Sequence, residues 1–339
     1  MFSTGWRWLR QGVAAARLVL CFPLSMALAE VARVMRASKA IHKVAKRLDR
    51  GKAKVPKGLA PLAPWERLSD AVVRISGLNP GLHTLQGTNV YLVGTGTKRI
   101  LVDTGEGVPG FVEHLVEVMK LVGCEGLQSI LLTHWHEDHV GGVADILAAL
   151  APAAIPVFKR RADRPEAFVY SDILDGQVFA TERATLKALH TPGHTADHVS
   201  FIMEEDKAFI SGDMILGCGT AVFDDFPSYM LSLKRARDVC RGVASVSASA
   251  EEKAGVSVAP PAALKRIYPG HGPVVEGAEA RVSFYISHRE ERERQIVAAL
   301  EAAAPIPLST LEVLSVCLTL CVRVCVRVCT QVRSTLFRS

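Results

Sequence analysis

Three things are missing from this chain of 339 residues, and each closes off a class of protein. No cysteines are spaced C-x-x-C: Cys21, Cys124, Cys218 and Cys240 are scattered singletons. A disulfide framework is not expected, and reduced thiols in a reducing compartment are. Nor is there an apolar segment of spanning length. Leu18 to Ala29 is interrupted by Pro23 and falls short of the ~20 residues a spanning helix needs, so no stable membrane span is expected. The third absence is a basic surplus in the body. Met1 to Pro64 holds 13 Lys/Arg against Glu30 and Asp49, whereas Trp65 to Ser315 holds 23 Lys/Arg against 32 Asp/Glu. The net charge of +6 therefore sits at the ends. Composition announces no basic face for nucleic acid, although bound divalent ions would offset part of the body's negative charge locally.

Acidic residues are also absent from the first 29 positions, which carry Arg7, Arg10 and Arg17. That pattern reads as a targeting presequence for the mitochondrial matrix or a plastid, continued by a basic disordered linker through residue 64. The alternative is a secretory signal ending at Ala27-Leu28-Ala29. Residues 65–304 read as the folded domain, with a Ser-, Ala- and Pro-rich insertion over 243–263. In residues 305–339 cysteines recur every fourth position from Cys317 to Cys329 within a Cys-Val-Arg-Val repeat. A TG-rich nucleotide repeat would encode that order, and it is assigned no function.

What is present is concentrated between Thr133 and Gly142. His134, His136 and His139 with Glu137 and Asp138 place three imidazoles and two carboxylates in six residues, after the apolar strand Ser129 to Leu132 and before a helix over Val143 to Leu150. Alternate residues of an extended segment face one way. His134 and His136 can therefore converge on one ion, while Asp138 and His139, in the bend, face a second. Imidazole mixed with carboxylate suits zinc, with manganese or iron as alternatives.

Apolar runs predict further strands at Ala71–Ile75, Asn89–Gly94, Arg99–Asp103, Thr185–His190, Val199–Met203, Ala208–Ile210 and Lys265–Tyr268. Helices are expected at Phe111–Val122, Tyr229–Arg241 and Ala278–Ala304. Asp103 closes its strand before Gly105, either as a turn residue or to orient a ligand histidine. His194, Asp213 and His271 each follow an apolar strand in a glycine-containing turn, as the first cluster does. Strand ends on one edge of a sheet bring distant loops into one pocket. His42, His83, His114, His190 and His288 lack this context and are read as surface or core residues.

Thr133-His-Trp-His-Glu-Asp-His139, Thr191-Pro-Gly-His194, Ser211-Gly-Asp213 and Tyr268-Pro-Gly-His271 resemble, in order, the metal-binding motifs of the metallo-β-lactamase superfamily. Residues Trp65 to Ala304 carry the likeness. Asn79-Pro80-Gly81, Thr84 to Asn89, Asp197-His198, Gly217 to Phe223 and Tyr285 to Arg289 further resemble its β-lactamase-like 2 branch, mitochondrial endoribonucleases acting on single-stranded RNA. The resemblance implies an αββα sandwich of two mixed sheets with external helices. It implies two divalent metal ions: His134, His136 and His194 would hold the first, Asp138, His139 and His271 the second, and Asp213 would bridge them.

Two such ions share and acidify a water to give hydroxide and polarise the substrate oxygen, so no protein nucleophile is needed. Asp138 would orient the hydroxide, and Asp103 would support a histidine from behind. His198 is either a general acid for the leaving group or a hydrogen-bonded structural histidine. Family members continue into a winged-helix-like domain. Here Ala299 to Val316 resembles its start, and a truncated or aberrant region replaces the rest. Lys159-Arg160-Arg161 with Arg164 forms a compact basic patch beyond the metal loop, or simply a solvated face.

The expected function is thus a di-metal hydrolase, foremost an endoribonuclease on single-stranded RNA. The alternative hydrolase acts on a small thioester, as hydroxyacylglutathione hydrolase does, although that enzyme's glutathione-binding tail is not found. A non-hydrolytic redox or adaptor member is the remaining class. A flavodiiron enzyme would carry a carboxylate at His136, and an adaptor would have lost ligands.

Overall fold

Runs such as Val72-Val73-Arg74-Ile75, Asn89-Val90-Tyr91-Leu92-Val93 and Arg99-Ile100-Leu101-Val102 pair β-branched and aromatic residues on both faces, which suits strands covered on both sides. The computed structural model describes residues 55–243 and 262–303. Most of the basic leader, the 243–263 insertion and the Cys/Val/Arg tail lie outside them. The chain divides into two units, one of Ala53–Glu291 and one of Met1–Lys52 with Arg292–Ser339. The account below concerns the first.

Seven strands form the first sheet in sequence order. They are β1 (Trp65–Arg67), β2 (Val72–Ser76), β3 (Asn89–Val93), β4 (Lys98–Val102), β5 (Gly126–Leu132), β6 (Val157–Lys159) and β7 (Ser171–Asp172). Neighbours run antiparallel from β1 to β4 and parallel from β4 to β7. The second sheet contains β8 (Val178–Thr181), β9 (Ala184–His190), β10 (Val199–Met203), β11 (Ala208–Gly212), β12 (Arg266–Pro269) and β13 (Val275–Glu276), side by side in that order. Only β11 and β12 are parallel there. The helices are α1 (Phe111–Leu121), α2 (Glu137–Val140), α3 (Val143–Ala149), α4 (Phe226–Cys240) and α5 (Ala278–Ala303).

Three apolar layers follow from strand alternation. Tyr91, Val93, Ile100, Val102 and Leu131 of the first sheet meet Leu186, Phe201, Met203, Ile210 and Tyr268 of the second. Residues one step away point outward: Leu92, Leu101, Ile130 and Leu132 pack on Phe111, Leu115, Val143 and Ile146 of α1 and α3. On the far side Ile202, Phe209 and Ile267 pack on Tyr229, Leu233, Val282 and Tyr285 of α4 and α5. Helix, sheet, sheet, helix is the expected αββα sandwich, with mixed sheets. Truncating Phe201, fully buried between the sheets, to Ala would cost about 3 to 5 kcal/mol.

This topology gathers loops. Both β9 and β11 run antiparallel to β10, and β12 runs parallel to β11, so β9, β11 and β12 all end on the same edge. Across the sandwich β4 and β5 also end together. Hydrogen bonds tie the two edges: Asn89 donates from its amide to the Gly270 carbonyl (2.7 Å) and from Nδ2 to the Pro269 and Gly272 carbonyls. The Val199 amide donates to the Thr133 carbonyl (2.8 Å). Among the described residues no helix is long and apolar enough to cross a membrane.

Candidate metal centre

The His-rich segment leaves β5 as an extended stretch and then turns. Where a bend was expected, Glu137–Val140 forms one helical turn, α2, with the His139 and Val140 amides donating to the His136 carbonyl. The turn carries Asp138 and His139 toward a second group, although the His139 ring still lies 4.2 Å from that of His134, centre to centre. Behind it, the Thr104 amide and hydroxyl both donate to the His139 carbonyl, at 2.9 and 2.8 Å. The two glycines that follow are close-approach residues: a Cβ on Gly142 would stand 2.2 Å from the Thr104 carbonyl oxygen.

Two groups of side chains meet here. His134 Nε2 lies 2.9 Å from His136 Nδ1, and His194 Nε2, brought in after β9, lies 3.2 and 3.0 Å from them. His139 Nε2 lies 3.4 Å from His271 Nε2, which comes from the turn after β12. Asp138 Oδ2 is 3.1 Å from His271 Nε2. Asp213, at the end of β11, reaches both groups, with Oδ2 3.7 Å from His194 Nε2 and 3.3 Å from His271 Nε2. In each group one donor atom per residue lies within 4.8 Å of the others: His134, His136, His194 and Asp213 in one, Asp138, His139, Asp213 and His271 in the other.

The outer ring nitrogens explain why the inner ones face each other. His139 Nδ1 is 2.7 Å from Asp103 Oδ2, and His194 Nδ1 donates to the Val222 carbonyl (2.8 Å). Carbonyls and carboxylates only accept, so both rings carry their proton outward and aim a lone pair at the cluster when neutral. Asp103 holds its place through Oδ1, which accepts the Thr133 amide at 2.8 Å. Asp213 Oδ1 is buried and makes no hydrogen bond. Imidazole nitrogens converging with the Asp138 and Asp213 carboxylates are a donor set for divalent cations, and the two groups are compatible with a two-metal site.

The sequence of residues 83–271 matches the family described as the metallo-beta-lactamase superfamily. The chain belongs to that superfamily. The beta-lactamase-like protein 2 homolog of Caenorhabditis elegans is 43% identical over 249 residues, 72% of this chain and 75% of the relative. This bears out the expected likeness to that branch. An atrochrysone carboxyl ACP thioesterase of Aspergillus novofumigatus is 37% identical over 246 residues, 73% of this chain and 68% of the relative. A beta-lactamase domain protein from Burkholderia ambifaria shares the fold, with a TM-score of 0.57 at 19% identity over 77% of this chain and 86% of that one.

Within this metallo-β-lactamase site, the two groups differ electrically. Burial pushes His134 well below the ordinary imidazole range, and the adjacent His139, His136 and His194 rings add to the effect. Burial, with His194, brings His136 down to about 3. In the other group burial opposes protonation, yet carboxylates outweigh it. Asp213 and Asp103 hold His139 well above its usual value, and Asp213 with Asp138 raises His271 to about 9. Burial works against the Asp213 charge, but His271 and His139 hold its carboxyl well below the usual range.

His198 does not fit the general-acid role. It is fully buried; Nε2 accepts the Asp213 amide at 3.1 Å, so Nδ1 carries the proton, toward Thr191 Oγ1 at 2.8 Å. Neither nitrogen is open to a leaving group, and the ring instead braces the backbone of Asp213. Burial, reinforced by His194, keeps it neutral.

The basic patch is also not one surface. Lys159 is fully buried, 2.8 Å from Asp197 Oδ2 and 3.2 Å from Glu166 Oε1. Arg160 donates to the Ile173 carbonyl, and Arg164 lies over the Trp135 ring, 4.0 Å from its centre. Gly270 is a functional residue missed in the sequence. A Cβ there would stand 2.3 Å from Asp213 Oδ1, so any larger residue would displace the shared carboxylate.

Proposed function

We propose that the chain is a di-metal hydrolase that cleaves single-stranded RNA. The observation that carries the hydrolytic part is the sharing of Asp213 by two adjacent donor groups. His134, His136 and His194 would hold one ion, Asp138, His139 and His271 the other, with Asp213 common to both. Zinc suits the imidazole-rich group best, with manganese or iron as alternatives. When bound, such a pair supplies an acidified water near neutral pH and polarises the phosphoryl or carbonyl oxygen of the substrate.

The chain's own residues supply the geometry. Asp103 keeps the His139 proton on Nδ1, and the Val222 carbonyl does the same for His194. Asp138, at the start of α2, would orient the attacking group from the second side. No Ser, Cys or Thr nucleophile is required. The RNA assignment rests on the β-lactamase-like 2 likeness of the motifs and on the suitability of paired metals for in-line displacement at phosphorus.

A second reading, thioester hydrolysis, is favoured by the thioesterase relative and by the burial of Lys159, which removes one cation from the expected basic patch. Both readings are tested by incubating the metal-loaded full chain with labelled single-stranded RNA and, separately, with an acyl-glutathione. RNA cleavage, lost in His136→Ala and Asp213→Ala, is the expected result. Intact RNA with consumed thioester overturns the nuclease assignment in favour of the second reading.

A further inference from the structure

Residues Leu216 to Phe223 contain no helix or strand, yet the Val222 carbonyl fixes the proton of His194. The Val222 side chain is 66% exposed and anchors nothing. Three residues of α5, spaced four apart so that they share one helix face, hold this segment instead. Arg281 Nη2 donates to the Leu216 and Gly219 carbonyls at 2.9 and 3.0 Å. The Tyr285 hydroxyl accepts the Leu216 amide at 2.9 Å and donates to the Gly219 carbonyl. Arg289 donates to the Ala221 carbonyl, immediately before Val222. Its guanidinium lies over Phe223, 4.9 Å from the ring centre, and 5.6 Å from that of Tyr229. Phe223 and Tyr229 stack on each other at 5.3 Å.

We propose that Arg289 is a positioning residue for the first metal group: by clamping Ala221 and Phe223 on either side, it fixes the Val222 carbonyl and hence the tautomer and direction of His194. The inference rests on the reading of His134, His136 and His194 as metal ligands. A planar, stacked guanidinium suits the task because it donates within the plane while its faces rest on aromatic rings. A lysine can donate but cannot stack in this way.

The test uses the full chain in two states. In metal-free protein with labelled histidines, the His194 Nδ1 proton, bonded to a carbonyl, exchanges slowly with solvent. Arg289→Met keeps the aliphatic stem against Phe223 and Tyr229 but removes every donor. It should speed that exchange at least about tenfold, and weaken the zinc affinity of the first group by about tenfold or more, the lower end for losing support behind a ligand. The second group's affinity should stay unchanged. Arg289→Lys should restore part of both. A folded Arg289→Met with wild-type exchange at His194 overturns the proposal. If that variant does not fold, an Arg289→Lys protein with wild-type exchange and zinc affinity overturns it. The metal reading fails separately, when the wild-type chain takes up no zinc while the His194 proton is still protected.

Discussion

The two halves of the site share Asp213 but are built on opposite electrical principles. Around His134 and His136 the surroundings are other imidazoles and dry protein, so these rings are neutral at pH 7 and present lone pairs. Around His139 and His271 the surroundings are Asp103, Asp138 and Asp213, so without metal these rings hold protons against the carboxylates. A cation entering the first group displaces no proton from His134 or His136, whereas one entering the second must expel protons that stabilise the empty site. Binding without proton release at His134 and His136 belongs to the first, and proton release at His139 and His271 to the second.

The largest break in that comparison is expected from Asp213→Ala. It removes the one side chain common to both groups and leaves the His139 and His271 charges without their main partner. Metal content should fall from two ions per chain toward none, and hydrolysis by more than about 100-fold, beyond the cost of losing a mere supporting partner. Elemental analysis after gel filtration, together with turnover, reads both. A variant that keeps two ions would show that the groups do not depend on the shared carboxylate.

Asp103→Asn separates the halves more gently. The amide can no longer accept from His139 in the same way and no longer charges its surroundings, so affinity in the second group should drop about 10- to 100-fold. The first group should be untouched. Stepwise competition with a chelator distinguishes the two, and equal losses at both steps would contradict the division.

Acidification sharpens the contrast further. His271 is raised to about 9 when folded and metal-free, against about 6.5 when unfolded. In the metal-free protein its stabilising contribution is therefore complete below about pH 6.5 and is lost as pH rises through about 9. Metal binding has the opposite sense. Below about pH 9 the ion must displace the His271 proton, and that of His139 with it, so affinity in the second group should fall on acidification by up to about tenfold per pH unit for each proton displaced. In the first group His134 and His136, the latter at about 3, release no proton to the ion, so affinity there should change less steeply with pH. Zinc titrations at several pH values test this, and parallel slopes for both ions would refute it.

Much of the scaffold was legible because long apolar strands advertise themselves. The strands at Asn89, Val199 and Ala208 begin where their apolar runs begin, and the turns after β9, β11 and β12 were visible from Gly and Pro. The short strands β1, β6, β7, β8 and β13 were not anticipated: two to four residues carry too little alternation, and neighbouring strands hold them in place. Lys159 shows the same limit for chemistry. In a Lys-Arg-Arg run it reads as solvated. Its burial depends on Asp197 and Glu166, both remote or unremarkable in sequence. His198 could be read as acid or as structure until the Asp213 amide was placed against Nε2. The glycine of Tyr268-Pro-Gly-His271 looked like a turn residue, and only the 2.3 Å gap to Asp213 reveals what a side chain there would break.

The central claim is that two cations sit side by side with one carboxylate between them. Anomalous diffraction from crystals of the zinc-loaded full chain tests it most directly. Two peaks are predicted, one among His134, His136 and His194 and the other among Asp138, His139 and His271, each in contact with Asp213. A single peak, or two peaks that do not both touch Asp213, would contradict the account.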